Sequence, residues 1–203
     1  MPGSDPAAIR ADAVPTERVR RLRRAERREQ ILAAATRSFA RAGFAATSLD
    51  DVAAEAGISR VILYRHFDSK ADMYRAVLDR ACARLAETVG TGDYGDDAIP
   101  ALIRAAAADP GAFRLLFRHA AREPEFRDQA DSLTAASAEV ARRDLARQIP
   151  PGPWLDWAAR LIPALTTEAV IAWLDAGQPD PRQAADRIAQ AIHGAIQAAQ
   201  PRS

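Results

Sequence analysis

The sequence predicts an all-α protein, and three observations support this fold class. Alanine, the strongest helix former, dominates the 48% of residues that are hydrophobic. Runs of β-branched residues, which favour strands, are rare. Apolar residues recur at helical spacing along much of the 203-residue chain, which is long enough for one large domain or two small ones.

Composition and motifs exclude several classes of protein. The chain has one cysteine, Cys82, so it forms no internal disulfide, which fits a reducing, cytoplasmic location. No apolar run reaches membrane-spanning length, and no apolar stretch follows the N-terminal arginines as in a secretory signal. We find no glycine-rich phosphate loop, nucleophile elbow, catalytic carboxylate cluster or metal-ligand spacing. We therefore expect no enzymatic activity, no cofactor and no metal site.

Charge is distributed unevenly along the chain. Residues 1–75 carry a balance of +4, whereas the remainder carries −3, within a net charge of +1. Residues 18–28 hold seven arginines, which either lie on nucleic acid or form a solvated helix face. Genomic base composition is an alternative source of the arginine excess, since Lys70 is the only lysine. Residues 1–17, with several prolines, are expected to be a disordered leader.

Two helices are predicted before residue 58. The first carries apolar residues at i, i+4, i+8 and i+11 from Ile31, and Gly43 is expected to end it. The second begins after Thr47 or Ser48, either of which can cap it, and Gly57 ends it. Its acidic first turn suits the positive end of a helix dipole.

A third short helix follows almost immediately and completes a helix-turn-helix. Ser59 is a natural N-cap for residues 60–67, and the chain breaks before a longer helix that begins at Lys70. In this arrangement the second helix of the motif projects from the body and can enter a DNA major groove. Further helices are predicted over residues 98–109, 112–122, 125–148, 154–176 (with a kink or a late start at Pro163) and 182–199.

Residues 47–78 resemble the TetR family of transcriptional regulators. The landmarks are Thr47, Val52-Ala53, Ala56-Gly57-Ile58-Ser59, Leu63-Tyr64, His66-Phe67 and Lys70. The resemblance extends over residues 27–78 and implies a helix-turn-helix DNA-binding domain at residues 18–72. A helical ligand-binding and dimerisation domain at residues 73–203 is also implied. Many family members have glycine and threonine where this chain has Val61 and Ile62, so no operator sequence is carried over.

The predicted DNA-contacting side chains combine this resemblance with helical geometry. Ile58, Leu63 and Phe67 are expected to face inward, leaving the other side of the helix for DNA. Arg60 can bond guanine in a bidentate manner, whereas Tyr64 and Lys70 suit phosphates. The predicted set is Arg24, Arg27, Thr47, Ser48, Ser59, Arg60, Val61, Ile62, Tyr64, Arg65, His66 and Lys70.

Ordinary structural roles remain open for several of these residues. Tyr64 can be a packing residue, His66 a packed or capping histidine, and Arg60 and Lys70 solvated charges. Asp50 argues against close DNA contact at its position, because an acid near the groove repels phosphate and could only accept hydrogen bonds from cytosine or adenine amino groups.

The C-terminal half is predicted to bind a ligand and to dimerise. Bulky residues could line a cavity or could equally form plain core: Phe113, Leu116, Phe117, His119, Trp154, Trp157 and Leu161. The resemblance implies that the last two helices form the dimer interface, through Ala169, Trp173, Ile188, Ile192 and Ile196.

The function that follows is sequence-specific binding of a double-stranded operator by a homodimeric repressor. Release by a small-molecule effector of unknown identity is implied by the resemblance alone. Two alternatives remain open, a DNA-binding activator or architectural protein without a ligand, and an enzyme.

Overall fold

The computed structural model describes residues 16–90, 95 and 97–201, with side chains from Arg24 onward, and these residues form helices and no strands. The all-α fold class is confirmed. The α-helices are α1 (Thr16–Ala46), α2 (Leu49–Ala56), α3 (Arg60–Tyr64), α4 (Lys70–Val89), α5 (Ala98–Ala108), α6 (Pro110–Arg114), α7 (Arg127–Leu145), α8 (Pro153–Asp175) and α9 (Pro181–Ala199).

Helix α1 contains the whole arginine run. It begins at Thr16, so the predicted leader is two residues too long, and residues 1–15 lie outside the described part of the chain. Gly43, with φ 79° and ψ 170°, interrupts the helical backbone where the sequence predicted an end. That positive φ favours glycine, because a Cβ there would crowd the backbone.

The turn between α2 and α3 is built from local hydrogen bonds. Ser48 and Asp51 form a reciprocal capping box at the start of α2. Gly57 adopts a left-handed conformation (φ 62°), and the Ile58 N–H donates to Ala53 O at 3.0 Å. Helix α3 ends at Tyr64 rather than at residue 67, and the chain turns through Arg65 to reach the buried Phe67.

The segment after α5 differs from prediction in its local geometry. Asp109 starts a helix instead of a turn, since its carboxylate accepts from the Ala112 N–H at 3.0 Å. The chain then passes through a wide π-helical turn (Leu115–His119) and two 3₁₀ turns (Ala120–Arg122 and Pro124–Phe126). Such changes of helical pitch depend on tertiary packing, which short-range patterns do not encode.

Helix α8 runs through Pro163 from Pro153, so a late start at Pro163 is wrong. Pro163 has no N–H, so the carbonyl of Ala159 loses its usual helical donor. One turn later, the Thr167 hydroxyl donates to Pro163 O at 3.0 Å.

Three apolar cores hold the helices together. The first joins α1–α4 to residues further along, including Leu115, Phe126 and Ala130, so it crosses the predicted domain boundary at residue 72. The second lies between α5, α6, α8 and α9, and the third between α7, α8 and α9. None of the helices in the described ranges is both long enough and apolar enough to cross a membrane.

Candidate nucleic-acid interface and ligand cavity

Helix α3 packs against the core on one side and is exposed to solvent on the other. Leu63 and Phe67 are 0% and 2% exposed, and the Arg28 guanidinium lies 4.3 Å above the Phe67 ring. On the opposite side Val61 is 63% exposed and Tyr64 46% exposed. The outer face of α3 therefore presents side chains to solvent from a rigid support.

Arg60 is held by two neighbours on this outer face. One guanidinium nitrogen lies 3.1 Å from the Asp50 carboxylate, and another donates to the Tyr64 hydroxyl at 3.2 Å. The hydrogen bond to Tyr64, followed by the charge of Asp50, raises the pKa of Arg60. The sequence did not indicate the contact between Asp50 and Arg60, because that contact depends on the angle between α2 and α3.

Thr47 and Ser48 have local structural partners. Thr47 is buried and its hydroxyl lies 2.7 Å from Gly43 O, so its side chain does not reach the surface as predicted. Ser48 is exposed, but its hydroxyl donates to the Asp51 carboxylate at 2.6 Å and accepts from the Asp51 N–H. The bond from this hydroxyl, followed by the bond from the Ser48 N–H at 2.8 Å, lowers the pKa of the Asp51 carboxyl.

Lys70 ties the start of α4 to the end of α1. Its ammonium donates to Phe44 O at 2.8 Å and to Ala45 O at 3.3 Å, and it lies 4.4 Å from the centre of the Phe44 ring. An ammonium has three N–H donors, so one remains beyond these two contacts for an anion. Lys70 thus has a structural role that the sequence did not indicate.

Three arginines of α1, Arg24, Arg27 and Arg28, lie near His66, just after the end of α3. Arg28 donates to His66 O at 3.0 Å, and exposed Arg27 donates to the Gln30 side chain at 2.8 Å. Burial lowers the pKa of the half-buried His66 below its ordinary value, and the positive charges of Arg24, Arg28 and Arg27 lower it further. The remaining predicted DNA contacts are exposed Ser59 and Arg65 and half-buried Ile62.

A cavity of about 420 Å³ lies between α4, α5, α7, α8 and α9. Of the predicted pocket residues, only Phe117 lines it. Phe113 and Leu116 line a separate cavity of about 210 Å³ beside α4 and α5, and Leu161 and His119 are half-buried outside the lining of both. Burial lowers the pKa of His119, and nearby arginines add to this effect.

Trp154 and Trp157 contradict the pocket prediction, because they are 62% and 41% exposed and pack edge to face with each other. Helix α8 is apolar on several sides, so helical periodicity does not reveal which side faces inward. The missed lining residues include Cys82 and Leu85 on α4 and Val140 on α7.

The predicted dimer residues face the interior of their own chain. Trp173 and Ile188 are buried in the second core, and the Trp173 indole donates to Pro179 O at 2.6 Å. Ile192 and Ile196 line the large cavity, and Ala169 is half-buried. Burial within the subunit removes Trp173 and Ile188 from a free surface. Ala169, Ile192 and Ile196 stay partly exposed, and their part in a dimer contact stays a prediction.

The fold and the exposed α3 face define a helix-turn-helix, a motif whose second helix lies in the major groove in many DNA-binding proteins. Residues 31–77 match the model of the bacterial regulatory proteins of the tetR family. By this match, the N-terminal part of the chain is similar to the regulators of that family.

Curated relatives match over the same region. The transcriptional activator FasR of Mycolicibacterium smegmatis is 48% identical over 60 residues, which cover 30% of this chain and 27% of FasR. The repressor SCO4008 of Streptomyces coelicolor is 34% identical over 89 residues, covering 43% of this chain and 46% of that protein. The chain therefore spans about a quarter to a half of the length of these relatives.

A solved structure extends the similarity in fold to most of the chain. A TetR-like transcriptional regulator from Rhodococcus sp. RHA1 superposes with a TM-score of 0.71 at 24% identity, covering 80% of this chain and 91% of that one.

Proposed function

We propose that the protein is a homodimeric repressor that binds a double-stranded DNA operator and leaves it when a small molecule occupies the large cavity. The observation that carries this proposal is the outer face of α3, where Arg60, Val61 and Tyr64 are exposed above buried Leu63 and Phe67. Because that operator is genomic, the protein acts in the cytoplasm.

The proposed DNA-contacting side chains, on α3 and around it, divide into two groups by chemistry. Arg60 bonds guanine, and Val61 contacts a thymine methyl group, so these two residues determine sequence preference. Contacts to phosphates set the position of the protein on the duplex. The phosphate-contacting group consists of Arg24, Arg27, Ser48, Ser59, Tyr64, Arg65, His66 and Lys70.

The exposed tryptophans of α8 are the best candidates for the dimer contact. Trp154 and Trp157 are two of the four large hydrophobic side chains that are exposed among the described residues, and the other two are Val61 and Tyr64 on α3. Tryptophan is enriched at the centres of protein interfaces, and a second copy of the chain offers the same pair in a two-fold arrangement. Such a dimer places two α3 helices about 34–36 Å apart, one turn of DNA.

Helix α4 connects the cavity to the DNA-binding face. Cys82 and Leu85 of α4 line the cavity, whereas its first residue, Lys70, is bonded to the end of α1. Arg80 of α4 lies 2.9 Å from Glu29 of α1, and its side chain is only 12% exposed. A ligand that prefers one position of α4 shifts the population of α3 orientations. The cavity itself disfavours the ligand-free architectural alternative.

Selection of bound fragments from random duplex DNA tests the proposal. Arg60→Ala is expected to relax the preference at one base pair of each half-site, whereas Arg143→Ala, at an exposed position of α7, leaves it unchanged. A protein that selects no sequence and ignores duplex DNA at low salt would overturn the proposal. A reporter gene behind the selected operator then distinguishes a repressor from an activator.

A further inference from the structure

The polar groups of the 420 Å³ cavity share one property: with few exceptions they accept hydrogen bonds. Three hydroxyls line it, those of Ser137, Thr166 and Thr167, and each is bonded to a main-chain carbonyl oxygen. A carbonyl only accepts, so each hydroxyl must be the donor in its bond. What the hydroxyls of Thr166 and Thr167 offer to the cavity is therefore oxygen lone pairs.

The charged part of the lining also accepts hydrogen bonds. Asp144 is the one ionisable carboxylate among the described lining residues, and no described lysine or arginine lines the cavity. The Asp144 side chain is 17% exposed and lies 4.0 Å from a guanidinium nitrogen of Arg147, whose own side chain is 70% exposed. The amide of exposed Gln148 and the weakly donating thiol of Cys82 are the exceptions among the polar lining groups.

The rest of the lining is apolar and comes from five helices and Phe117. The cavity volume falls in the range of small-molecule sites, roughly 300–1,000 Å³. A carboxylate or phosphate in this space would meet acceptors and apolar side chains, and it would lose its hydration without compensation. An ammonium or hydroxyl on an apolar chain would find acceptors instead.

We infer that the effector site takes a lipophilic molecule that carries hydrogen-bond donors, above all a protonated amine, and that it discriminates against lipophilic carboxylates. The inference deepens the proposed function, since it gives the chemical class of ligand for the proposed release step. Apolar burial supplies affinity, and the acceptor groups of α7 and α8 supply selectivity.

The test compares three probes with the same alkyl chain on the whole protein: decylamine, decanol and decanoate, each at concentrations where it is monomeric. Calorimetry is expected to give decylamine the highest affinity, about tenfold above decanoate, with decanol between them. Alkylation of Cys82 gives a second measurement, because it is the single cysteine of the chain and lines the cavity. A bound probe is expected to slow that alkylation.

Two variants assign the selectivity to named groups. Asp144→Asn is expected to remove most of the preference for decylamine over decanoate and to leave decanol binding unchanged. Thr167→Val keeps the shape but removes the oxygen, so decylamine and decanol should bind severalfold more weakly. Thr134→Val is the matched control, since Thr134 makes the same bond to Ala130 O on α7 but does not line the cavity.

Decanoate binding as tightly as decylamine would overturn the inference, as would the absence of binding by all three probes. Unchanged selectivity in both Asp144→Asn and Thr167→Val would do the same. These measurements need no DNA, so they separate this inference from the proposed function. Probes that bind in the expected order but leave operator binding unaltered would refute release while supporting the chemistry of the cavity.

Discussion

Arg60 is oriented on the free protein before any DNA is present. The Asp50 carboxylate and the Tyr64 hydroxyl hold two of its nitrogens, at 3.1 and 3.2 Å. A long side chain that is ordered in advance loses less entropy when it bonds a base. Asp50 therefore acts as a positioning residue for Arg60, in addition to repelling phosphate.

Replacement of Asp50 by asparagine tests this role. Asp50→Asn keeps a polar side chain but removes the charge, so we expect the preference for guanine at the position bound by Arg60 to fall roughly fivefold. Binding to non-specific DNA should become tighter, because one negative charge near the phosphates is lost. Competition binding with specific and mutated operators measures both effects. Asp131→Asn, at an exposed position of α7, is the control, and an unchanged base preference in Asp50→Asn would contradict the role.

We expect His66 to make the proposed DNA binding sensitive to pH. Burial and the positive charges of Arg24, Arg28 and Arg27 lower its pKa in the free protein, which favours the neutral ring. Nearby phosphates favour the charged ring, and DNA binding should therefore take up a proton. We expect affinity to rise as the pH falls from about 7.5 to about 6, measured by fluorescence anisotropy at constant ionic strength.

His66→Gln should flatten the pH dependence, whereas His193→Gln, at an exposed position of α9, should not. A lowered folded-state pKa means that the unfolded chain binds more protons below the ordinary histidine value of about 6.5. The free energy of unfolding should thus decrease on acidification through that range. If DNA affinity changed equally with pH in the wild type and in His66→Gln, the proposed contact between His66 and a phosphate would be refuted.

The element that presents Arg60 is too short to be stable alone. Helix α3 has five residues, fewer than an isolated helix needs in water. Its conformation therefore depends on the buried Leu63 and on the turn at Gly57. The turn at Gly57 involves only neighbouring residues, so it can be tested without disturbing the core around Leu63.

Gly57→Ala should destabilise the motif through backbone strain. A Cβ at Gly57 meets nothing within 4 Å, so the cost comes from its φ of 62° and should be about 1 kcal/mol in the free energy of unfolding. Gly57→Asn should cost less, because asparagine tolerates this conformation. Gly194 is the matched control: it is also unobstructed but lies within α9, so Gly194→Ala should stabilise by roughly 0.5–1 kcal/mol. Urea denaturation measures all three, and a neutral Gly57→Ala would contradict the argument.

Elements defined by local chemistry were predictable from the sequence, whereas those defined by packing were not. Ser48, Gly57 and the start of α4 follow from caps and glycine turns that act over three or four residues. The π-helical turn at Leu115–His119 has no such local signal. The cavity and the outward direction of Trp154 depend on which faces of α7, α8 and α9 meet, and apolar periodicity alone does not specify this.

At the scale of the whole molecule, we expect the proposed dimer to depend on the exposed tryptophans of α8. The double variant Trp154→Ser/Trp157→Ser should weaken dimerisation, since each buried interface tryptophan contributes about 2 kcal/mol or more. Light scattering at micromolar concentration is expected to give a dimer mass for wild type and a lower mass for the variant. Val61→Ser removes an equally exposed apolar side chain from α3 and should remain dimeric. A monomer mass for the wild type would refute the dimer. A dimer mass for the double variant would show that the interface lies elsewhere.

The first apolar core has a consequence for protein engineering. Its members from beyond α4 include Leu115, Leu116 and Phe126, and Phe126 stacks against Phe44 and Tyr74 at 4.9 and 4.5 Å between ring centres. A fragment cut after α4 would leave those rings in water, and such contiguous apolar patches promote aggregation. A chimera that grafts this helix-turn-helix onto another sensor must therefore carry the segment from Pro110 to Ala130 with it.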